Sequence, residues 1–316
     1  MSFLQSKFPE GRMSRGKHGF EWQINCPWTE RHDQPDTKRR LSINLANNLV
    51  YCHRCGYKAH VRKFLWELDR TFYEVSSPRI SLPEMRKRIA TIKLPASELK
   101  AEMPNFRLLS DPGPYRNYAE RLEAYLWDRG WTEHDIEEAQ VGFILEKRWL
   151  NRLIFPFYNC LGRVVFWQGR TIVPETEPKY LNPSLPRDEA IYNMPMASNY
   201  RQVVLVEGLF DCVLPNNAGT LSADPTDGQI LTISRLWDEI VVMYDRDAYL
   251  KSWKAAERLS AFRGKTVKVA RCPAKDPDEA SLHDIEIEID RAIPFSKTEF
   301  LKIKLSETVC SLNSEN

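Results

Sequence analysis

Short apolar runs separated by turn residues characterise the first part of the chain. Between residues 18 and 65 they predict three strands, at Phe20–Asn25, Leu41–Leu45 and Leu49–Cys52. The pair Asn47-Asn48, between the last two strands, is typical of a tight hairpin turn. After Cys55-Gly56 the apolar positions recur at helical spacing, which predicts an amphipathic helix over Val61–Leu68.

The middle of the chain is predicted to contain a linker, two helices and a pair of strands. Residues 75–114 hold six prolines and the basic cluster at 86–88, which indicates a linker with one short helix. Residues 116–130 predict a helix that ends at Gly130, and Thr132 with Asp135 predicts a capping box at the start of the next helix. Strands are expected at LIFPFY and RVVFWQGR, joined by a turn at Leu161-Gly162.

From residue 203 onward, short apolar runs alternate with helical segments. The predicted strands are 203–206, 218–220, 240–244 and 266–270, and the predicted helices are 209–214, 227–237 and 249–262. Apolar strands that alternate with helices favour an α/β fold with a parallel sheet covered on both faces. Ligands of such sheets bind beyond the carboxyl ends of the strands.

Acidic residues directly follow two of these predicted strands and lie in the loop after a third, the strand 266–270. They are Glu207 with Asp211, then Asp245 with Asp247, and then Asp276 with Asp278. Carboxylates crowded at one edge of a sheet repel one another unless cations neutralise them. Mg²⁺ prefers oxygen ligands and uses carboxylates together with substrate phosphates, so this pattern predicts a magnesium site. The simpler alternative is that each of these residues is a solvated loop residue.

Composition and charge narrow the class of protein. With 42% hydrophobic and 28% charged residues, the chain is typical of a soluble globular protein. The net charge of +2 hides an asymmetry. Residues 1–100 contain 19 Lys and Arg against 10 Asp and Glu, a balance of +9, which leaves 26 against 33, a balance of −7, for the rest. This split predicts a basic front that meets a polyanion and an acidic back that holds cations.

Three of the seven cysteines cluster with a histidine in a pattern that suggests a metal site. No apolar run suits a signal peptide or a membrane span, so we expect a cytoplasmic protein with reduced thiols. Cys52 and Cys55 form a C-x2-C knuckle, and Cys26 lies one hairpin earlier, so three thiolates can converge on zinc. His32 is our choice as fourth ligand, ahead of His18 and His53. The alternative is three packed cysteines without a metal.

Basic and aromatic residues surround the predicted zinc ligands. The cations proposed to contact DNA are Lys38, Arg39, Arg40, Arg54 and Lys58, and Trp28, Tyr51 and Tyr57 lie among them. Phosphate-binding cations with aromatic stacking faces suit single-stranded DNA. An ordinary basic surface is the alternative interpretation.

The acidic motifs, in order, resemble those of the toprim domain of DnaG-type DNA primases from bacteria and phages. The segments are EGLFD at 207–211, DRD at 245–247 and KDPDE at 275–279. Upstream, NRLIFPF at 151–157 and PKYLN at 178–182 resemble the basic half of the DnaG-type RNA polymerase core. The likeness extends over about residues 18–295. One departure is Ala248-Tyr249-Leu250, where family members often carry glycine.

The resemblance implies a role for each group of residues. Glu207, Asp245 and Asp247 would be catalytic and bind Mg²⁺ or Mn²⁺, and Asp211, Asp276 and Asp278 would complete the metal shell. Triphosphate or template phosphates would be bound by Arg152, Arg170, Lys179 and Arg187, and Asn182 would position the substrate. The zinc ligands would be Cys26, His32, Cys52 and Cys55. The fold implied is a toprim-type parallel sheet preceded by a mixed α+β subdomain and an N-terminal zinc ribbon.

The resemblance also implies a layout and a set of partners. The expected regions are a zinc ribbon at 1–75, a linker at 76–111, a basic subdomain at 112–200, a toprim subdomain at 201–295 and a tail at 296–316. The expected activity is primer synthesis from nucleoside triphosphates (NTPs) on single-stranded DNA in the bacterial cytoplasm, with phage encoding plausible. No nucleotide-hydrolysis loop is evident, so a replicative helicase would be a separate partner, and no membrane partner is expected.

Two other functions are compatible with parts of this pattern. A toprim nuclease would share the carboxylates but would need neither PKYLN nor the zinc ribbon. A catalytically silent factor that binds or loads single-stranded DNA is suggested by the altered residues after Asp247. Primer synthesis is the hypothesis that accounts for all the motifs together.

Overall fold

The computed structural model describes residues 7–16, 19–32, 34–44, 49–68, 80–81, 83–84 and 103–314. The chain divides into two compact units, one of Met1–Glu74 with Pro114–Glu138 and one of Val75–Gly113 with Ala139–Asn316. The Asn47-Asn48 turn, the linker helix and most of the predicted linker lie outside the described residues. The proposed domain boundaries stay a prediction.

Within its described residues, the first unit contains an antiparallel sheet and three α-helices. Its strands, hydrogen-bonded in chain order, are β1 (Arg12–Gly16), β2 (Gly19–Ile24), β3 (Leu41–Asn44), β4 (Leu49–Cys52) and β5 (Lys58–His60). Its helices are α1 (Val61–Leu68), α2 (Arg116–Asp128) and α3 (Glu133–Glu138). The predicted helix at 61–68 and strand at 49–52 are confirmed.

The core of this unit lies on one face of the sheet. Trp22, Ile43 and Val50 are cross-strand neighbours, and all three are buried together with Phe64 of α1. Alternation places these side chains on one side and polar residues on the other. Gly130 follows α2 at φ +79°, where a β-carbon would lie 2.8 Å from the His60 ring, so glycine is needed to end this helix.

The second unit begins with an antiparallel sheet in the order β10-β9-β8-β7-β6. The strands are β6 (Phe106–Leu108), β7 (Gly142–Ile144), β8 (Arg152–Tyr158), β9 (Val164–Thr171) and β10 (Tyr180–Leu181). Phe155 and Phe157 of β8 are fully buried and make edge-on contacts with Phe210 and Tyr192, respectively. These rings join the antiparallel sheet to the residues that follow.

A second sheet in this unit has the order β12-β11-β13-β14-β15. Its strands are β11 (Gln202–Val206), β12 (Asn217–Gly219), β13 (Glu239–Val242), β14 (Thr266–Val269) and β15 (Ile293–Pro294). The accompanying helices are α4 (Met194–Ala197), α5 (Asp227–Leu236), α6 (Tyr249–Ser260), α7 (Leu282–Asp290) and α8 (Lys297–Ser314). The first four strands are parallel, and β15 is antiparallel to β14.

Both faces of this sheet are covered because its strands are apolar on both sides. Val203 and Leu205 pack with α5 and α6, whereas Val204 packs on the opposite face with Ile285 and Ile289 of α7. The predicted α/β class with helices on both faces is therefore confirmed.

One predicted helix is wrong, and another helix lies in a segment for which no secondary structure was predicted. Residues 209–214 form turns, so the helix predicted there is wrong: Asp211 accepts a hydrogen bond from the Gly208 N–H, and the Val213 N–H bonds the Asp211 carbonyl. Residues 297–314, inside the predicted tail, form helix α8, and its Phe300 ring stacks 6.4 Å from Trp253 of α6. In the described part of the chain, no helix is long and apolar enough to cross a membrane.

Candidate functional site

The carboxylates singled out in the sequence follow the ends of adjacent parallel strands. Glu207 comes directly after β11, and Asp245 follows β13 by three residues. Asp276 and Asp278 lie in the loop after β14. Because β11, β13 and β14 are parallel neighbours, their carboxyl ends meet at one edge of the sheet. The structure therefore brings these three acidic segments to a common edge.

Glu207 and Asp211 are held in a tight turn around Gly208. The Gly208 N–H donates to Asp211 Oδ2 at 2.7 Å, and a β-carbon on Gly208 would lie 2.7 Å from that same oxygen. Glycine is thus required for the Asp211 carboxylate to approach the backbone. Burial raises the pKa of Asp211 to about 7, with repulsion from Asp276, Asp278 and Glu207 adding to the effect.

Asp245 shows the same combination of burial and repulsion. Burial raises its pKa to about 7, assisted by the charges of Asp211, Glu207 and Asp276. Burial also raises the pKa of Glu207. One oxygen on each of Glu207 and Asp245 is buried without a hydrogen-bond partner. Buried, mutually repelling and incompletely bonded carboxylates fit a site completed by a hard cation.

Of the remaining acidic residues, Asp247 is exposed, and Asp276 and Asp278 are half-buried. Asp247 lies in the 3₁₀ turn Arg246–Ala248, and Asp276 caps the turn Pro277–Glu279 by accepting the Glu279 N–H at 3.1 Å. The two loops are joined by a 2.9 Å bond from the Arg246 N–H to the Lys275 carbonyl. Tyr249, in the segment 248–250 that departs from the expected motif, is buried, and the Arg271 guanidinium lies 4.1 Å from its ring centre.

The predicted phosphate-binding residues fall into two groups. Arg152 and Arg170 are buried: Arg152 donates to the carbonyls of Gly169 and Lys179, and Arg170 lies over the Tyr180 ring at 4.8 Å and the Phe210 ring at 5.8 Å.

Lys179 and Arg187 are exposed, and Asn182 accepts a hydrogen bond from Gln168 at 2.9 Å. Phe210 directly precedes Asp211. The contact with Phe210 therefore places Arg170 near the sheet edge that carries the acidic segments, which we call the carboxylate edge. Among the residues that the structure describes, no side-chain hydrogen bond or ion pair joins Arg187 to Arg152, Arg170 or Asn182.

A second cluster lies in the first unit. The ligand atoms of Cys26, His32, Cys52 and Cys55 all fall within 4.8 Å of one another. His32 Nε2 is 3.8 Å from Cys52 Sγ. Three thiols and one imidazole form a donor set typical of structural zinc sites. Of the other histidines considered, His18 lies outside the described residues, and the ring of exposed His53 packs against Tyr51 instead.

The thiols of this cluster differ in their titration. Burial, together with repulsion from the neighbouring thiols Cys52 and Cys55, raises the pKa of Cys26 to about 12. Burial acts in the same direction on Cys52, but hydrogen bonds from the backbone amides of Cys55 and Arg54 outweigh it, so the pKa of Cys52 lies below its ordinary value. The knuckle thus already stabilises one thiolate, the form that binds metals.

Asp36 is a structural residue that the sequence analysis missed. Its carboxylate is buried and accepts three backbone N–H groups, from Cys26 at 3.0 Å, Lys38 at 3.0 Å and Arg40 at 2.8 Å. Burial raises its pKa, but these three amides outweigh burial, and the pKa lies below its ordinary value. One aspartate among several polar residues carries no sequence signal that would reveal such a role.

The basic residues predicted to bind DNA are placed around this network. Lys38, Arg39 and Lys58 are exposed. Arg40 is half-buried, and Arg54 donates to the Pro35 carbonyl at 3.4 Å.

The aromatic residues near the basic residues predicted to bind DNA differ in exposure. Tyr51 is 38% exposed and lies opposite Lys58 in the sheet. Tyr57 is buried, with its hydroxyl bonded to Glu67, and Trp28 packs against it. The stacking role expected of Tyr57 is therefore corrected, because its ring belongs to the core.

Comparisons with known proteins give a consistent result. No family model matches the chain. The DNA primase of Geobacillus stearothermophilus is 31% identical over 205 residues, covering 49% of this chain and 34% of the primase. The DNA primase of Staphylococcus aureus strain COL is 28% identical over 327 residues, covering 83% of this chain and 53% of the primase. The match thus spans between about a third and just over half of the length of these relatives.

Solved structures show the same relationship at the level of the fold. The DnaG catalytic core matches with a TM-score of 0.53 at 22% identity, over 63% of this chain and 79% of that structure. The zinc-binding and RNA polymerase domains of Aquifex aeolicus primase match with a TM-score of 0.52 at 19% identity, over 94% and 85%. A DnaG primase catalytic domain bound to single-stranded DNA matches with a TM-score of 0.53 at 21% identity, over 62% and 78%. The chain is thus similar in sequence to curated bacterial DNA primases and shares the fold of the DnaG catalytic core.

Proposed function

We propose that this protein is a DNA primase, a DNA-directed RNA polymerase that makes short RNA primers on single-stranded DNA. The observation that carries this proposal is the carboxylate edge, where burial and mutual repulsion raise the pKa values of Asp211 and Asp245 to about 7. Sequence similarity to curated DNA primases supports the choice of primer synthesis among the reactions such an edge could serve.

The chemistry requires a 3′-hydroxyl to attack an α-phosphate while pyrophosphate leaves. Glu207, Asp245 and Asp247 would hold Mg²⁺ or Mn²⁺, with Asp211, Asp276 and Asp278 around them. The bound metal would stabilise negative charge on the attacking and leaving oxygens. Glu207, whose pKa is raised by burial, would assist in removing the proton of the hydroxyl.

The basic residues would hold the NTP and the template. Exposed Lys179 and Arg187 would neutralise phosphates of the triphosphate, and Arg152 and Arg170 would contact phosphates or position the PKYLN segment from their buried sites. Asn182, already bonded to Gln168, would orient the nucleotide. We also propose that a separate replicative helicase assists, and that the protein acts in the cytoplasm of a bacterial or phage-infected cell.

The N-terminal unit would bind zinc and grip the template. Cys26, His32, Cys52 and Cys55 fit a tetrahedral zinc ion by donor type and spacing. Lys38, Arg39, Arg40, Arg54 and Lys58 would contact phosphates, and exposed Tyr51 would stack on a base. A solved DnaG primase domain bound to single-stranded DNA supports this choice of template.

One assay separates this function from the alternatives. Purified protein is incubated with single-stranded templates, labelled ribonucleotides and Mg²⁺, beside Asp245→Ala and the control Asp290→Ala, which alters an exposed residue at the end of α7. We expect short RNA products that Asp245→Ala abolishes and Asp290→Ala retains. Template cleavage would identify a toprim nuclease, and DNA binding without products would identify a silent binding or loading factor. Either result would refute primer synthesis.

A further inference from the structure

The loop Lys38–Arg40 owes its conformation to side chains on neighbouring segments. All three of its backbone N–H groups donate to side chains: Lys38 and Arg40 to Asp36, and Arg39 to Asn25 Oδ1 at 2.9 Å. Arg39 also adopts φ +51°, a backbone conformation that is unfavourable for a residue with a side chain. Such a conformation persists only where surrounding contacts hold it.

The same residues also contact the backbone segments that carry the cysteine–histidine cluster. Asp36 accepts the Cys26 N–H with the same carboxylate that holds the loop, and Asn25 directly precedes Cys26. On the other side, the Arg40 carbonyl accepts the N–H of His53, inside the Cys52–Cys55 knuckle, at 2.8 Å. The basic loop is therefore tied to both segments that carry the candidate metal ligands.

We infer that Asp36 is a positioning residue for nucleic acid, which holds three consecutive cations in place relative to the metal centre so that they contact successive template phosphates. This inference rests on the proposed function, because it takes single-stranded DNA as the ligand of the loop. Asp36 itself would touch neither DNA nor metal, since its carboxylate is 5% exposed and occupied by backbone amides.

A pure charge effect of Asp36 and a positioning role predict opposite changes in DNA affinity when the charge is removed. Removing a negative charge beside three cations should, by Coulomb attraction alone, strengthen DNA binding. Loss of a positioning residue should weaken it instead. For single strands, each lost phosphate contact lowers the slope of log K against log salt by about 0.7, which amounts to about fivefold in affinity at about 0.1 M salt.

The experiment measures binding of a fluorescein-labelled single-stranded 20-mer by the full chain over a range of salt concentrations. The variants are Asp36→Asn, Asn25→Ala, the triple variant Lys38→Ala/Arg39→Ala/Arg40→Ala, and the triple variant combined with Asp36→Asn. Glu21→Gln is the matched control, because it removes a half-buried acid of the same sheet that has no contact with the loop in the described structure. Zinc content is measured for each variant.

We expect Asp36→Asn and Asn25→Ala to bind at least about fivefold more weakly with a shallower salt slope, and to retain zinc. Asp36→Asn should add no further loss to the triple variant, because both act through the same contacts. Asn25→Ala changes no charge and tests the same loop if Asp36→Asn does not fold.

Wild-type or tighter binding by Asp36→Asn and Asn25→Ala would overturn the inference, as would a loss that adds in full to that of the triple variant. A triple variant that binds like wild type would refute the DNA role proposed for the loop, and the inference with it. That result is distinguishable because it does not involve Asp36.

Discussion

Replacing Asp211 by asparagine should stabilise the metal-free protein, and the gain should grow with pH. In the folded protein the carboxyl is buried against Asp276, Asp278 and Glu207, and its pKa is about 7 against an ordinary value of 3.8. Protonation of Asp211 therefore favours the folded state. The contribution of this protonation to the free energy of unfolding is fully present below pH 3.8 and is lost as the pH rises towards 7. Asparagine has no titratable proton, so it remains neutral over this range.

The magnitude follows from the two pKa values. One pKa unit corresponds to about 1.4 kcal/mol, so the full shift of about three units is an upper bound of about 4 kcal/mol. Between pH 5.5 and pH 8, wild type loses about 2 kcal/mol of the stability that protonation of Asp211 contributes. The free energy of unfolding of Asp211→Asn, relative to wild type, should therefore increase by about 2 kcal/mol over that interval.

Urea unfolding of both proteins at pH 5.5 and pH 8, without divalent cations, measures this difference. Comparing variant with wild type at each pH cancels titrations that the two proteins share. Asp290→Asn, at an exposed position, is the control for loss of an acidic side chain. Mg²⁺ should stabilise wild type more than Asp211→Asn. A difference between Asp211→Asn and wild type that stays constant, or decreases, from pH 5.5 to pH 8 would refute the argument.

Three further predictions concern other parts of the molecule. Cys26→Ser should lower zinc, measured by elemental analysis, well below the single ion per chain expected of wild type; unchanged zinc would contradict the assigned ligand set. Tyr51→Ala should weaken binding of single-stranded DNA by about 1–3 kcal/mol in a fluorescence titration, whereas Tyr51→Phe should not, because stacking needs only the ring. Trp253→Ala should lower the free energy of unfolding by about 3–5 kcal/mol in urea, since the indole is fully buried between Tyr249, Phe295 and Phe300; a loss below about 1 kcal/mol would be inconsistent with that packing.

Elements fixed by local pattern could be predicted from the sequence. The helix Val61–Leu68 and the strand Leu49–Cys52 have the predicted bounds, and Thr132 and Asp135 exchange the hydrogen bonds expected of a capping box. The parallel sheet was predictable because strands buried on both faces are apolar at every position. The order of these strands then brought the acidic segments to one edge.

Features that depend on individual side-chain contacts, whether local or tertiary, could not be predicted in this way. Residues 209–214 have helical composition, but the Gly208–Asp211 hydrogen bond fixes a turn instead. Tyr57 follows a basic segment and suggested a stacking face, yet its ring packs between Trp28 and Phe64. Burial of Asp36 depends on three amides from two segments that are separated in sequence.

The two edges of the parallel sheet have a consequence for handling the protein at high concentration. Open strand edges invite pairing with other molecules, which leads to aggregation. Here the outer strand β15 has only two residues, one of them Pro294, which has no N–H to donate. On the opposite edge, Gly219 of β12 exchanges both hydrogen bonds with Tyr192. Neither edge offers a full ladder of free donors and acceptors, so this sheet should resist intermolecular β-pairing while its apolar strands remain folded.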